Sequence, residues 1–314
     1  LGTQGNLFGI TGGEGTGKSN YVAAIVAGCI CPAGAEVDTL GIQITANGRH
    51  KAVLLYDTEQ SEVQLFKNVS NLLARAKQPD KPDELKAFCL TGMSRKERLN
   101  AIVQSMDKFY YQYGGIQLVV IDGIADLVKS ANDEAESVAV IDELYRLAGI
   151  YNTCILCVLH FVPNGLKLRG HLGSELQRKA ATILSIEKDD EPAQSVVKAL
   201  KVRDGSPLDV PLMLFAWDKE AGMHVYKGEK PREEKEKRKE RELVNVAHDI
   251  FGRQTRITYI DLCEQLQQVL DIKERTAKSY IRFMRERDII TKDTANQSCF
   301  VIGSYHLQRN ASCP

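Results

Sequence analysis

Several things are missing from this sequence, and each omission removes a class of function. No apolar stretch is long enough to span a bilayer; residues 22–30 come nearest, and they are short and follow a glycine-rich loop. No secretory signal pattern opens the chain. Neither charge is in excess: 41 Lys and Arg balance 41 Asp and Glu, so any surface for nucleic acid must be local. The eight cysteines lack metal-ligand spacing. Cys154 and Cys157 do form a C-x-x-C, but within an apolar run that reads as a strand, where residues three apart face opposite sides. Reduced core thiols in a cytoplasmic protein are therefore expected. An initiator Met is absent too, and the chain opens almost directly on an apolar run, which leads us to expect a fragment with an N-terminal region missing.

What is present is concentrated near the start. Residues 12–19 read GGEGTGKS and fill the pattern G-x-x-x-x-G-K-[ST] with Gly12, Gly17, Lys18 and Ser19. An apolar run, 7–10, precedes them, and a helix-like segment, 20–30, follows. Glycines let backbone N–H groups curl inward around phosphate oxygens at a helix N-terminus. Lys18 supplies a point charge for the β- and γ-phosphates, and Ser19 a hydroxyl for Mg²⁺. The expected cradle for ATP comprises Gly12, Gly13, Glu14, Gly15, Thr16, Gly17, Lys18, Ser19 and Asn20.

Further apolar runs at 53–56, 88–90, 118–121 and 154–159 alternate with helical patterns at 61–77, 95–113 and 137–151. Residues 31–50, rich in glycine and polar groups, read as an insertion or hairpin. Near-continuous apolar strands mean a parallel sheet covered on both faces, with its chemistry at the strands' carboxyl ends. Asp122 falls at such an end, where an acid would hold magnesium. Glu59 falls at the end of the strand expected beside the phosphate loop, where a carboxylate can act as general base on a water. His160 ends the 154–159 strand and is a candidate sensor of the γ-phosphate. Residues 161–173 read as a basic loop at the same edge, with Lys167, Arg169 and His171 as candidates for a nucleic-acid backbone. Strands follow at 182–187, 196–202, 213–217 and 224–226. Lys201 and Arg203 alternate with Val202, so both cations should project from one face toward a neighbouring subunit's nucleotide.

Residues 228–242 are a run of Lys, Arg and Glu that reads as a solvated linker or helix. Beyond it, apolar spacing predicts helices from about 244, over 259–269 and over 274–287, then a hairpin formed by 289–290 and 300–302. Three helices and a hairpin make a winged-helix arrangement. In the third helix Arg275, Lys278, Arg282 and Arg285 are spaced 3, 4 and 3 apart, a basic stripe suited to a major groove. Glu274 and Glu286 close by favour a merely solvated face instead.

These elements, in this order, resemble the RecA-like ATPases, and within them the replicative-helicase branch of DnaB-type and plasmid RepA-type proteins. GGEGTGKS is similar to that family's first motif, Tyr56-Asp57-Thr58-Glu59 to the element with the catalytic glutamate, and Val119-Val120-Ile121-Asp122 to the magnesium motif. Residues 132–134 and Val158-Leu159-His160 resemble the sensor region, although Phe161 stands where the branch often has a second histidine or a lysine. Residues 169–176 resemble the DNA-facing loop, and Lys201-Val202-Arg203-Asp204-Gly205 the K-x-R-x-G element that supplies a lysine and an arginine finger in trans. The resemblance implies an α/β fold, a RecA-like P-loop NTPase core with a mostly parallel sheet, to which the small winged-helix domain adds a second unit. The expected boundaries are 1–227 for the ATPase domain, 228–243 for a charged linker and 244–314 for the winged helix.

The resemblance further implies a DNA-acting ATPase, a helicase or remodeller of a replicon or mobile element, with Lys18, Glu59, Asp122, His160, Lys201 and Arg203 catalytic. Its cofactors are ATP and Mg²⁺, the metal on Ser19 and Asp122. Its partners are single-stranded DNA at the ATPase loop, duplex DNA at the winged helix and further copies of itself, in a hexameric ring; a membrane is not among them. Two other classes compete: an ATP-switched DNA-binding and oligomerisation protein without unwinding activity, and a small-molecule kinase. The kinase reading lacks an arginine-rich lid and leaves the tail idle.

Overall fold

The computed structural model describes residues 1–160, 170–189, 193–231, 235–252, 254–294 and 296–305. They form two compact units, Leu1–Pro231 and Arg232–Pro314.

The first unit is built on strands that the sequence marks by apolar content alone. Strand β1, Leu7–Gly12, is buried along its whole length. Helix α1, Lys18–Ile30, is apolar nearly all round and lies buried against the sheet. Residues 31–51 form no hairpin. They cross instead as irregular chain, anchored by buried Leu40 and Ile42 and by Asp38, which accepts a 2.8 Å bond from the Tyr226 N–H. Next come β2 (Ala52–Asp57), α2 (Glu62–Arg75, capped by Ser61), β3 (Leu85–Cys89) and α3 (Arg95–Tyr113). A Ser94–Glu97 capping box starts α3 and Gly114 in the left-handed region ends it. Strand β4 (Ile116–Asp122) leads to a 3-10 turn (Ile124–Leu127), then to α4 (Glu134–Ile150) capped by Asp133, and to β5 (Cys154–His160). Helix α5 (Gly170–Lys179) precedes β6 (Thr182–Lys188), β7 (Gln194–Val202), β8 (Leu212–Asp218) and β9 (Met223–Lys230).

The nine strands lie in the order β3-β2-β4-β5-β1-β6-β7-β8-β9. The six from β3 to β6 are parallel; β7, β8 and β9 run antiparallel. One apolar layer joins α1 and α2 to one face through Tyr21, Ile25, Leu65 and Leu72. The other joins α3, α4 and α5 to the opposite face through Ile102, Met106, Leu144 and Leu176. Cys154 packs in the first layer and Cys157 in the second, so they share no ion.

The order corrects one expectation. Strand β2, which delivers Glu59, is not beside the phosphate loop: β5 and β6 flank β1, and both β4 and β5 separate it from β2. Linear order does not reveal which strand a crossover skips. A second correction concerns His171, expected in a loop. It lies in α5, whose Leu172 and Leu176, four apart, are both buried on one helix face.

In the second unit α6 (Lys235–Phe251) is followed by a short strand β10 (Ile257–Thr258), α7 (Tyr259–Leu270), α8 (Glu274–Glu286), β11 (Ile290–Lys292) and β12 (Cys299–Ile302). The sheet order is β10-β12-β11, all antiparallel, so the expected hairpin gains a third strand. Leu243, Ala247, Leu262, Ile281, Met284 and Phe300 close a separate core. Helix α6 begins within the segment expected to be a linker, and the units divide after Pro231 rather than near residue 243. Much of that charged run thus belongs to a helix whose later turns enter the core.

Candidate active site

The loop between β1 and α1 takes its shape from Gly17, the residue that caps α1 with φ +93. A side chain there would be strained, and its Cβ would lie 2.8 Å from the Phe215 ring of β8. Lys18 is buried, and its Nζ donates to the carbonyls of Gly12 at 3.0 Å and Gly13 at 2.7 Å. Thr16 Oγ1 donates to Gly13 O at 3.0 Å. Glu14, Gly15, Ser19 and Asn20 are exposed at the mouth of the loop. Burial pulls the Lys18 pKa down, while Asp122, Glu59 and Glu14 act against that shift.

Across the sheet, Asp57 and Asp122 sit opposite each other at the ends of β2 and β4. Asp57 is 2% exposed, and its Oδ1 accepts the N–H groups of Glu59 at 3.0 Å and Gln60 at 2.9 Å. It thereby fixes the backbone from which Glu59 projects. Thr58 locks the same turn to β4, donating from Oγ1 to the carbonyls of Asp122 (3.0 Å) and Gly123 (2.8 Å). Gly123 has φ +95, and a Cβ there would meet Glu59 Cγ at 2.6 Å and crowd Thr58 Oγ1. Glu59 Oε2 lies 3.3 Å from Nε2 of His160 at the end of β5. The general-base candidate is thus held from its backbone by one strand and from its carboxylate by another.

Burial, with the negative charges of Asp57 and Glu59, pushes the Asp122 carboxyl up to about 7, His160 and Lys18 opposing. Burial also raises the Asp57 pKa. Acids so crowded are relieved by a cation, and Ser19, Asp57 and Asp122 line one small pocket with Asn68. Among the described residues no three His, Cys, Asp or Glu side chains make a cage for metal by themselves. That donor set fits Mg²⁺, which binds through one or two carboxylates and substrate phosphates. Asp57 is the acid that sequence reading missed as a functional group. Its signal was the one used for Asp122, an acid closing an apolar strand.

Lys18, Ser19, Glu59, Asp122 and His160 therefore converge, and Lys201 and Arg203 do not. Arg203 Nη1 bonds Asn6 Oδ1 at 3.1 Å, just before β1, and Nη2 bonds Lys179 O at 2.6 Å. Lys201 Nζ bonds the carbonyls of Gln177 (2.7 Å) and Arg178 (3.0 Å). Both cations cap the C-terminus of α5 at the amino end of the parallel strands. With the length of β1 in between, Arg203 is about 20 Å from its own phosphate loop. Its side chain is exposed there.

Lys167 and Arg169 lie outside the described residues. His171 is exposed on α5. On α8, Arg275, Lys278, Arg282 and Arg285 are all exposed, but the stripe is partly committed. Lys278 pairs with Glu274 at 2.7 Å, Arg282 with Glu286 at 2.8 Å, and Arg285 lies 5.9 Å from the centre of the Phe300 ring.

A family profile described as the AAA domain matches residues 3–164, a little over half of the chain, from before the phosphate loop to just past His160. This chain belongs to the AAA domain family. The match to the AAA domain takes in Lys18, Glu59, Asp122 and His160 and stops short of Lys201 and Arg203. Among solved structures the chain resembles the ATPase domain of a DnaB-like helicase, with a TM-score of 0.50 at 15% identity, covering 71% of this chain and 85% of that one. Identity that low speaks for the fold, an α/β core of the RecA-like P-loop kind with a mostly parallel sheet. No curated protein matches the AAA domain chain in sequence.

Proposed function

We propose that this chain is an ATP-hydrolysing motor that acts on DNA and completes its active site between subunits. The observation that carries the reading is the separation just described: Glu59 touches His160 at one end of the sheet, and Arg203 stands exposed at the other. In the proposed reaction the loop N–H groups and Lys18 hold the triphosphate. Ser19 and Asp122, with Asp57 alongside, would hold Mg²⁺, which neutralises charge across the β- and γ-phosphate oxygens. Glu59 takes a proton from the attacking water, and His160 keeps its carboxylate aimed. Arg203, with Lys201, enters from the adjacent protomer and offsets the charge growing on the transferred phosphoryl group. Helix α5 then links chemistry to movement, because its C-terminal carbonyls hold both cations while its N-terminus follows the segment containing Lys167 and Arg169. A closed ring of such head-to-tail contacts, hexameric by resemblance, is the assembly this implies.

We read the second unit as a winged helix, on its element order and its three-stranded sheet. The in-helix pairs of Lys278 and Arg282 favour a second reading for that unit alone, a protein-docking module on an ATP-switched assembly. Measuring the ATPase with single-stranded DNA, duplex DNA and neither tests the main reading, and a strand-displacement assay tests unwinding. Stimulation by single strands is expected. Hydrolysis indifferent to DNA would favour the switch.

A further inference from the structure

Among the described residues, the largest cavity of the first unit lies away from the phosphate loop. It is a groove of about 860 Å³ between the start of α3, the 3-10 turn after β4 and the first turns of α4. Its rim carries Arg95, Lys96 and Lys129, all exposed, and none makes an ion pair among the described residues. The charges around them are already committed. Arg98 binds the carbonyl of Leu90 at 3.0 Å and lies 3.6 Å from Asp126. Glu97 closes the α3 capping box, and Glu136 accepts the Lys129 backbone N–H. The groove is therefore positive by three uncommitted cations. Between them its surface is apolar, with buried Val128 and Val140, half-buried Leu99 and, at the rim, Met93 at 41% exposure.

We infer that this groove binds a single strand of nucleic acid, its phosphates on Arg95, Lys96 and Lys129 and its bases against Met93, Leu99 and Val128. The inference rests on the DNA-acting reading above and gives it a second contact surface. The cations sit on two separate segments rather than around one point, which suits a chain of phosphates better than one anion. The apolar surface between them suits the flat faces of unpaired bases. The groove also has a route to the chemistry. Its 3-10 turn begins directly after Gly123, the residue packed against Glu59. A strand seated there presses on the turn that sets the general base, so its binding should raise turnover.

The test uses the full chain with Arg95→Ala, Lys96→Ala and Lys129→Ala combined, leaving Ser94 and Glu97 to cap α3. Binding of a labelled oligo-dT is followed by anisotropy across a salt series, alongside ATPase with and without the oligonucleotide. We expect affinity to fall on the order of tenfold or more and the salt slope to flatten by about 2, with basal ATPase unchanged and stimulation lost. If the wild type binds oligo-dT and the variant matches its affinity and slope, the groove assignment falls and the DNA-acting reading stands. If the wild type binds no strand, both fall. A poly-glutamate chain that displaces oligo-dT at equal charge would reassign the groove to an acidic protein partner and overturn the inference.

Discussion

The two ends of the large sheet carry opposite chemistry. At the carboxyl end Asp57, Asp122 and Glu59 crowd around a single buried lysine, and mutual repulsion with burial lifts Asp122 to about 7. At the amino end Lys201 and Arg203 have no carboxylate among their described hydrogen-bond partners, only backbone carbonyls and the amide of Asn6. One end has acids in want of cations, and the other has cations that no acid holds. A fold that kept both for its own stability would bring them together. Keeping them about 20 Å apart makes sense if they meet across a boundary between copies.

Breaking the cationic end should have the largest effect. Arg203→Ala is expected to lower kcat by roughly 10³ with little change in ATP binding, measured by steady-state turnover and nucleotide titration. A drop in affinity without a drop in kcat would make Arg203 a binding residue only. At the acidic end, Glu59→Gln should bind ATP normally and turn it over about 10²-fold or more slowly. Near-normal hydrolysis would remove Glu59 from the mechanism.

The crowding of the acids can be weighed by pH. Asp122 has a folded pKa above its unfolded one, so its contribution to stability is complete below about 4 and is lost as pH rises through about 7. Asp122→Asn removes that loss. Thermal denaturation at pH 8 without nucleotide should show the variant more stable by about 1–2 kcal/mol, against a ceiling of ~4, and at pH 5 the gain should shrink. The same variant should lose most of the stabilisation that Mg²⁺ with ATP gives the wild type. Equal stability at both pH values would mean that the acids are not strained. The smallest effect concerns the support of Glu59. Gly123→Ala should cost about 1–3 kcal/mol in chemical denaturation, because it forces an unfavourable φ and crowds Thr58 and Glu59.

Much of this arrangement could be read before the coordinates, for identifiable reasons. Strands such as Leu118 to Ile121 are unbroken apolar runs, and α3 is bounded by Ser94, Glu97 and Gly114, so these elements announce themselves. The alternation of Lys201 and Arg203 about Val202 correctly placed both cations on one side, where both reach α5. Other features had no local signal. Nothing near Glu59 says that two strands separate β2 from β1. Helix α5 opens with two glycines in its first four residues and was legible only from Leu172 and Leu176. Asp57 was overlooked because the acid two residues later sits in the stronger motif. Strand β10 is two residues long and owes its existence to Phe300 and Cys299 across the sheet, a partner that sequence reading cannot see.

The central claim is that the last cation of each site comes from another copy of the chain. Mixing Arg203→Ala with Glu59→Gln tests it most directly, because the first keeps a working Glu59 and the second a working Arg203. The account predicts that the mixture hydrolyses ATP well above the sum of the separate variants, with a maximum near equal amounts. A mixture no faster than that sum, in assemblies shown to exchange subunits, would contradict it.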